Sequence, residues 1–151
     1  MYFRNEDGGF GCCTATAIIA IGKVSSGTTI GQFAFYFCSK FVSITISNPI
    51  TSIGFGAFAN CRNLISIEIP NSVTSIGDGV FSYCLGLISV TIPSSVTSIG
   101  NQVFDVCISL QQAFLGCGLP YDRRVSLFPY SPNVKVLSEC SDAPTLAPTG
   151  N

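Results

Sequence analysis

The sequence contains no histidine, no tryptophan and a single methionine. Without histidine there is no Ser-His-Asp or Cys-His relay and no imidazole to hold a metal. Charge is scarce as well. Charged residues are 10% of the 151, against about 25% in a typical soluble domain. Seven basic and eight acidic residues leave a net charge of −1. The one adjacent basic pair, Arg123 and Arg124, reads as a solvated turn. Nucleic acid and anionic membrane surfaces both demand clustered Lys and Arg, so neither is an expected partner. Apolar runs such as Ala17 to Ile21 fall far short of the about 20 residues that span a bilayer. No secretory leader is legible at the N-terminus, where Glu6 and Asp7 follow Arg4. No Asn-x-Ser/Thr acceptor occurs either.

The carboxylates Glu68, Asp78 and Asp105 stand singly, each in a different context, so no acid/base dyad is built in. The glycines at 54, 56, 77 and 79 do not form the phosphate-cradling GxxxxGK[ST] loop. These features predict no enzyme, no cofactor and no metal.

What the chain has is apolar residues, 47% of the total, and a period. Apolar content at that level supplies a core. Three segments align without a gap: ITSIGFGAFANCRNLISIEIPNS from 50, VTSIGDGVFSYCLGLISVTIPSS from 73 and VTSIGNQVFDVCISLQQ from 96. Ile53, Ile76 and Ile99 recur at one register position. So do Gly54, Gly77 and Gly100; Phe58, Phe81 and Phe104; Cys61, Cys84 and Cys107; and Leu64, Leu87 and Leu110. Upstream, Ile30, Gly31, Phe35, Cys38, Phe41, Ile44 and Ile46 continue the register. Phe10, Cys13, Thr16, Ile19 and Ile21 fit one step earlier if the following loop carries two extra residues. About five coils of one unit result, each too small to bury its own core and dependent on its neighbours.

Each unit reads as three short pieces. Ile67 and Ile69 alternate as an inward-facing strand that Pro70 ends, since proline cannot donate a ladder hydrogen bond. A second β-rich piece runs from Val73 to Ile76, and Gly77 is expected to take a positive φ at the corner. Phe81, Cys84 and Leu87 are spaced by three, as in one short helical turn.

The pattern IP-x-SVTSIG-x-x-x-F-x-x-C-x-x-L-x-S-[IV]-x-IP resembles the BspA-type (Treponema pallidum-type) leucine-rich repeat family. The resemblance covers roughly residues 10 to 113. It implies a right-handed solenoid, mostly short parallel strands with short helical turns. It also implies a surface or secreted protein that mediates adhesion or interaction. Pro49, Ser72 and Ser95 stand near the point where the general leucine-rich pattern has Asn or Cys, so no Asn ladder is expected.

Eight cysteines invite a disulfide or metal reading. Cys13, Cys38, Cys61, Cys84 and Cys107, however, fall one per coil. Parallel side chains about 4.8 Å apart form a file, neither converging in pairs nor surrounding a metal. They are expected to be free and buried, a structural ladder alongside Phe35, Phe58, Phe81 and Phe104. Cys117 and Cys140 bracket a segment outside the repeat and are the candidate disulfide. Cys12 has no evident partner.

The expected organisation is a frayed segment at 1–9, repeats over 10–113, a C-terminal cap over 114–140, and a Pro/Thr-rich linker over 141–151. The outward strand positions are Ser43, Thr45, Ser66, Glu68, Ser89 and Thr91. They are the candidate binding face, with a protein or cell-surface ligand as the partner. The reading is a fragment of an extracellular or cell-surface protein. The alternatives are a structural spacer or a cytoplasmic interaction scaffold. The hydrophobic N-terminal coil, if uncapped, is expected to favour end-to-end self-association.

Overall fold

The computed structural model describes residues 17–21, 28–47, 49–120, 123, 126–130, 133–138 and 140. The expectations for 1–9, Phe10, Cys12, Cys13 and the linker at 141–151 fall outside these residues. Ten strands lie among them: β1 (Ala17–Ile21), β2 (Thr29–Ile30), β3 (Phe41–Ile46), β4 (Ser52–Ile53), β5 (Ser66–Glu68), β6 (Ser75–Ile76), β7 (Ser89–Ile92), β8 (Ser98–Ile99), β9 (Gln112–Leu115) and β10 (Lys135–Ser138). They form two sheets. The larger is ordered β1-β3-β5-β7-β9-β10 and the smaller β2-β4-β6-β8. Every pairing is parallel. Ile44 pairs with Ile67, Ile67 with Val90 and Val90 with Ala113, a constant step of 23 residues. Ile19 pairs with Ile44, so the coil before β3 carries the two extra residues that its sequence requires. Four coils contain both kinds of strand, and the larger sheet adds a strand at each end. The molecule is a parallel β-solenoid.

The strands are short because each has only to place one or two apolar side chains inward. In β7 the pattern is Ser89 half-buried, Val90 buried, Thr91 exposed, Ile92 buried. At the corner that follows, Val73 and Val96 donate to the carbonyls of Pro70 and Pro93, both 3.1 Å. Gly116 occupies that proline position in the next coil. Its N–H reaches back to the Ile92 carbonyl at 2.7 Å, a bond that proline cannot make.

The third side of the coil is not the short helical turn expected from Phe81, Cys84 and Leu87. It is a ribbon of overlapping turns. The N–H groups of Phe33, Phe35 and Phe37 donate across to the next coil, to the carbonyls of Phe55, Ala57 and Ala59 at 2.7–2.9 Å. Those of Ala34, Tyr36 and Cys38 donate three residues back, to Gly31, Phe33 and Phe35. Past its first turn, an α-helix bonds each N–H within itself. Here alternate donors serve the neighbouring coil, which satisfies the buried backbone without a helix. The alternation requires left-handed residues at two register positions per coil. Phe33, Gly56, Gly79 and Gln102 occupy one (φ 53–58°); Phe37, Asn60, Tyr83 and Val106 occupy the other (φ 55–64°).

Gly77 therefore does not supply the positive φ; Gly79 does. Gly77 is required for close approach, because a Cβ there would lie 2.9 Å from the backbone nitrogen of Phe55 in the preceding coil. Gly54 stands the same way, 2.8 Å from the nitrogen of Gln32.

The core is a set of columns. Phe35, Phe58, Phe81 and Phe104 are buried and stack nearly parallel, with centroids 5.2, 5.7 and 5.5 Å apart. Ring pairs at these separations fall within the range of favourable aromatic contact. A fifth ring, Phe128, continues the column at 5.2 Å from Phe104. Beneath it the smaller sheet ends on a side chain. The carbonyls of Ile30, Ile53 and Ile76 accept from the N–H of Gly54, Gly77 and Gly100. For Ile99 that donor is replaced by the guanidinium of Arg123, 2.7 Å from its carbonyl and 2.8 Å from that of Gly100. Arg123 is thus half-buried and closes a sheet edge. It is not a solvated turn residue.

Candidate functional site

The six predicted surface residues lie on the larger sheet in two rows. Ser43, Ser66 and Ser89 are in register in one row, and Thr45, Glu68 and Thr91 in the other. The hydroxyls of Ser43 and Ser66 are hydrogen-bonded at 3.1 Å. The serine row is half-buried; Glu68 and Thr91 are exposed. Past Thr91 the second row continues into Phe114 and then Leu137. The hydroxyl ridge therefore gives way to apolar side chains at its end. A groove of about 650 Å³ opens there, lined by Thr91, Pro93, Phe114, Leu115 and Leu137, with the Cys117 corner at its rim.

A third row was not anticipated. Val42, Ile65 and Ile88 are 37, 44 and 42% exposed, and Gln111 follows them. Ile65 donates its N–H to the Val42 carbonyl, and Ile88 to that of Ile65, which holds the row in register. Its signal was available in the period. Ile65 and Ile88 follow the inward Leu64 and Leu87, and alternation sends the next side chain outward. Beside this row the turn ribbon carries an exposed aromatic cluster. Phe33 meets Phe55 and Tyr36 edge to face at 4.9 and 5.5 Å, and Tyr36 meets Phe37 at 5.3 Å.

The cysteine file offers no reactive centre. Cys61, Cys84 and Cys107 are buried thiols outside any disulfide. Their Sγ–H groups donate to the carbonyls of Phe35, Phe58 and Phe81 at 3.1–3.3 Å. Desolvation pushes the thiols of Cys61 and Cys107 up to about 12 and that of Cys84 higher still. A thiol held protonated in this way is neither nucleophile nor metal ligand near neutral pH. Cys38 departs from the expected ladder. It is buried like the others but disulfide-bonded, to a partner outside the described residues. The parallel-file argument assumed that all coils stack alike, and Cys38 borders the coil that departs from the 23-residue step.

Cys117 and Cys140 are joined by a disulfide with Cα atoms 5.5 Å apart. They too are 23 residues apart, so this bridge is a rung between equivalent points of successive coils. Neighbouring coils place Cα atoms within the span a disulfide can bridge. Pairing is thus open at a corner, where side chains can turn toward each other, while the inner thiols are engaged by carbonyls. Among the described residues no group of three or more His, Cys, Asp or Glu could hold a metal ion. No helix among them is long and apolar enough to cross a membrane.

The model of the BspA type leucine rich repeat region matches residues 8–122 in six copies. A leucine-rich repeat protein from Bacteroides ovatus is similar in structure, with a TM-score of 0.66 and 27% identity over 74% of this chain. A leucine rich cell surface protein from Faecalibacterium prausnitzii has a TM-score of 0.73 and 26% identity over 83%. The T. pallidum leucine-rich repeat protein shares the fold at a TM-score of 0.58 and 22% identity over 81%. The chain spans 28% and 32% of the length of the first two and 70% of the third. No curated protein matches it. With two parallel sheets in a 23-residue register and the repeat model matching most of its length, the chain belongs to the BspA-type leucine-rich repeat family.

Proposed function

We propose that this chain is a non-enzymatic protein-binding module of a larger cell-surface or secreted protein, and that it works in adhesion through the strand face of Ser43, Thr45, Ser66, Glu68, Ser89 and Thr91. The observation that carries the reading is the register. Equivalent outward side chains repeat at the spacing of neighbouring strands, so one flat surface is presented across successive coils. Such a surface suits recognition better than chemistry, which needs converging groups. Its polar rows have few large anchors, so one module binds weakly and gains strength in arrays. The description of the Faecalibacterium neighbour as a cell surface protein supports the location. An exposed disulfide between Cys117 and Cys140 fits an oxidising compartment.

Residues 114–140 serve in this reading as the cap over the open end of the core. Leu127 and Phe128 are buried there, β10 extends the larger sheet, and Arg123 closes the smaller one. End-to-end association through the N-terminal coil belongs to the same proposal.

The test is adhesion. Beads carrying the chain are compared with beads carrying Thr45→Ala, Glu68→Ala and Thr91→Ala together, on extracellular matrix and on whole cells. Loss of adhesion in the triple variant is expected. Unchanged adhesion would remove the strand face from the function.

A further inference from the structure

The guanidinium of Arg62 lies over the ring of Phe37, 5.3 Å from its centroid. A cation–π contact of this kind consumes none of the five N–H donors. Arg62 is exposed, and its side chain has no hydrogen-bond acceptor or ion-pair partner among the described residues. The next residue, Asn63, is tied to the preceding coil by a 2.7 Å hydrogen bond from Nδ2 to the Ser39 carbonyl, which steadies the loop that carries the arginine. On one side of Arg62 stands the aromatic cluster that Phe37 joins. On the other is a groove of about 570 Å³ that Arg62 itself lines, with Val42, Ile65 and Ile88 as its apolar wall.

Charge is one-sided at this corner. Residues 28–67 carry Lys40 and Arg62 and no Asp or Glu. No carboxylate lines the groove. Glu68 faces outward in a different row, between Thr45 and Thr91. A guanidinium with free donors, beside an apolar groove and without a local counter-charge, is complementary to a carboxylate next to an aliphatic side chain. Two cations are too few for the phosphate backbone of a nucleic acid.

We propose that the Arg62 corner docks an acidic, aliphatic polypeptide segment of a partner protein. A partner carboxylate takes the free edge of Arg62, and a neighbouring aliphatic side chain enters the Val42–Ile65–Ile88 groove. This rests on the reading of the chain as a protein-binding module, but it uses the third row and the Arg62 corner rather than the Ser/Thr/Glu rows.

The experiment is fluorescence anisotropy of the full chain with three labelled synthetic peptides of alternating sequence: leucine with glutamate, with glutamine and with lysine. The glutamate peptide is expected to bind best and to weaken as salt rises. Arg62→Ala, a surface change that leaves the core intact, is expected to weaken it about tenfold or more, with Arg62→Lys intermediate. Ile65→Ser should weaken all three peptides. The Thr45/Glu68/Thr91 triple variant should bind as the parent does. Equal binding of the three peptides, no binding of any, or indifference to Arg62→Ala would overturn the proposal. Loss in the triple variant would also overturn it, by returning the binding to the strand face. Bead adhesion reads the strand-face proposal independently, so the two failures are distinguishable.

Discussion

The middle coils and the last coil use the same register for different chemistry. In the middle coils, equivalent residues are nearly identical, and stacking like on like builds columns of Phe, Cys and Leu. In the last coil the backbone keeps the 23-residue step through β9 and β10, but the side chains change. Phe128 continues the ring column from 24 residues after Phe104, Arg123 replaces a backbone donor, and a corner disulfide bridges Cys117 and Cys140. The difference teaches that periodic identity suits a coil with neighbours on both faces. Among the described residues no coil follows that of β10, and there side chains meet groups that a following coil meets in the middle.

The largest expected effect tests the column. Phe81 is fully buried between two stacked rings, so Phe81→Ala should cost about 3–5 kcal/mol in urea denaturation. Phe128→Ala, stacked on one ring among the described residues, should cost clearly less. Equal losses would mean that the end coil is as integral as the middle ones. Next comes the edge. Arg123→Ala leaves the carbonyls of Ile99 and Gly100 without their donor, and should destabilise by about 1.5–3 kcal/mol in the same assay. Arg123→Lys should recover part of this, since one ammonium can still reach one carbonyl. No loss would return Arg123 to the status of a surface charge. The smallest effect is a gain. Val106 is β-branched and sits at φ 55°, where the equivalent residue two coils earlier is Asn60 at 62°. Val106→Asn should raise stability by about 1 kcal/mol, less whatever packing the valine provides. A clear destabilisation would show that packing at that position outweighs its backbone strain.

Much of the middle was legible in the sequence. Ile67, Phe81 and Leu87 announce their columns because a solenoid core is a one-dimensional pattern, repeated at the period of the chain. The outward placement of Glu68 and Thr91 follows from period-2 alternation. The ribbon was not legible, because apolar residues three apart, such as Phe81 and Cys84, suit a helical turn and a turn ladder equally. What separates the two is where alternate N–H groups point, and residue type does not encode that. Phe37, Tyr83 and Val106 in the left-handed region give no warning, since these residues rarely adopt it. Gly77 was legible as obligatory but for the wrong reason; its neighbour is another coil, which sequence proximity hides. Phe128 and Arg123 escaped because the end coil breaks the side-chain period that made the rest readable. The exposed Val42–Ile65–Ile88 row was in plain register, yet it was absorbed into the general excess of apolar residues.

The most direct test of the account is differential thiol labelling with peptide mapping. The intact chain is alkylated near pH 8, then unfolded without reduction and alkylated with a second, isotopically distinct reagent. Cys61, Cys84 and Cys107 should resist the first reagent, as buried thiols with strongly raised pKa values, and take the second. The peptides of Cys117 and Cys140 should appear covalently linked, and Cys38 should label only after reduction. Labelling of Cys84 in the folded chain, or a bridge joining two of the three inner cysteines, would contradict a core of stacked equivalent residues closed by a disulfide rung at its end.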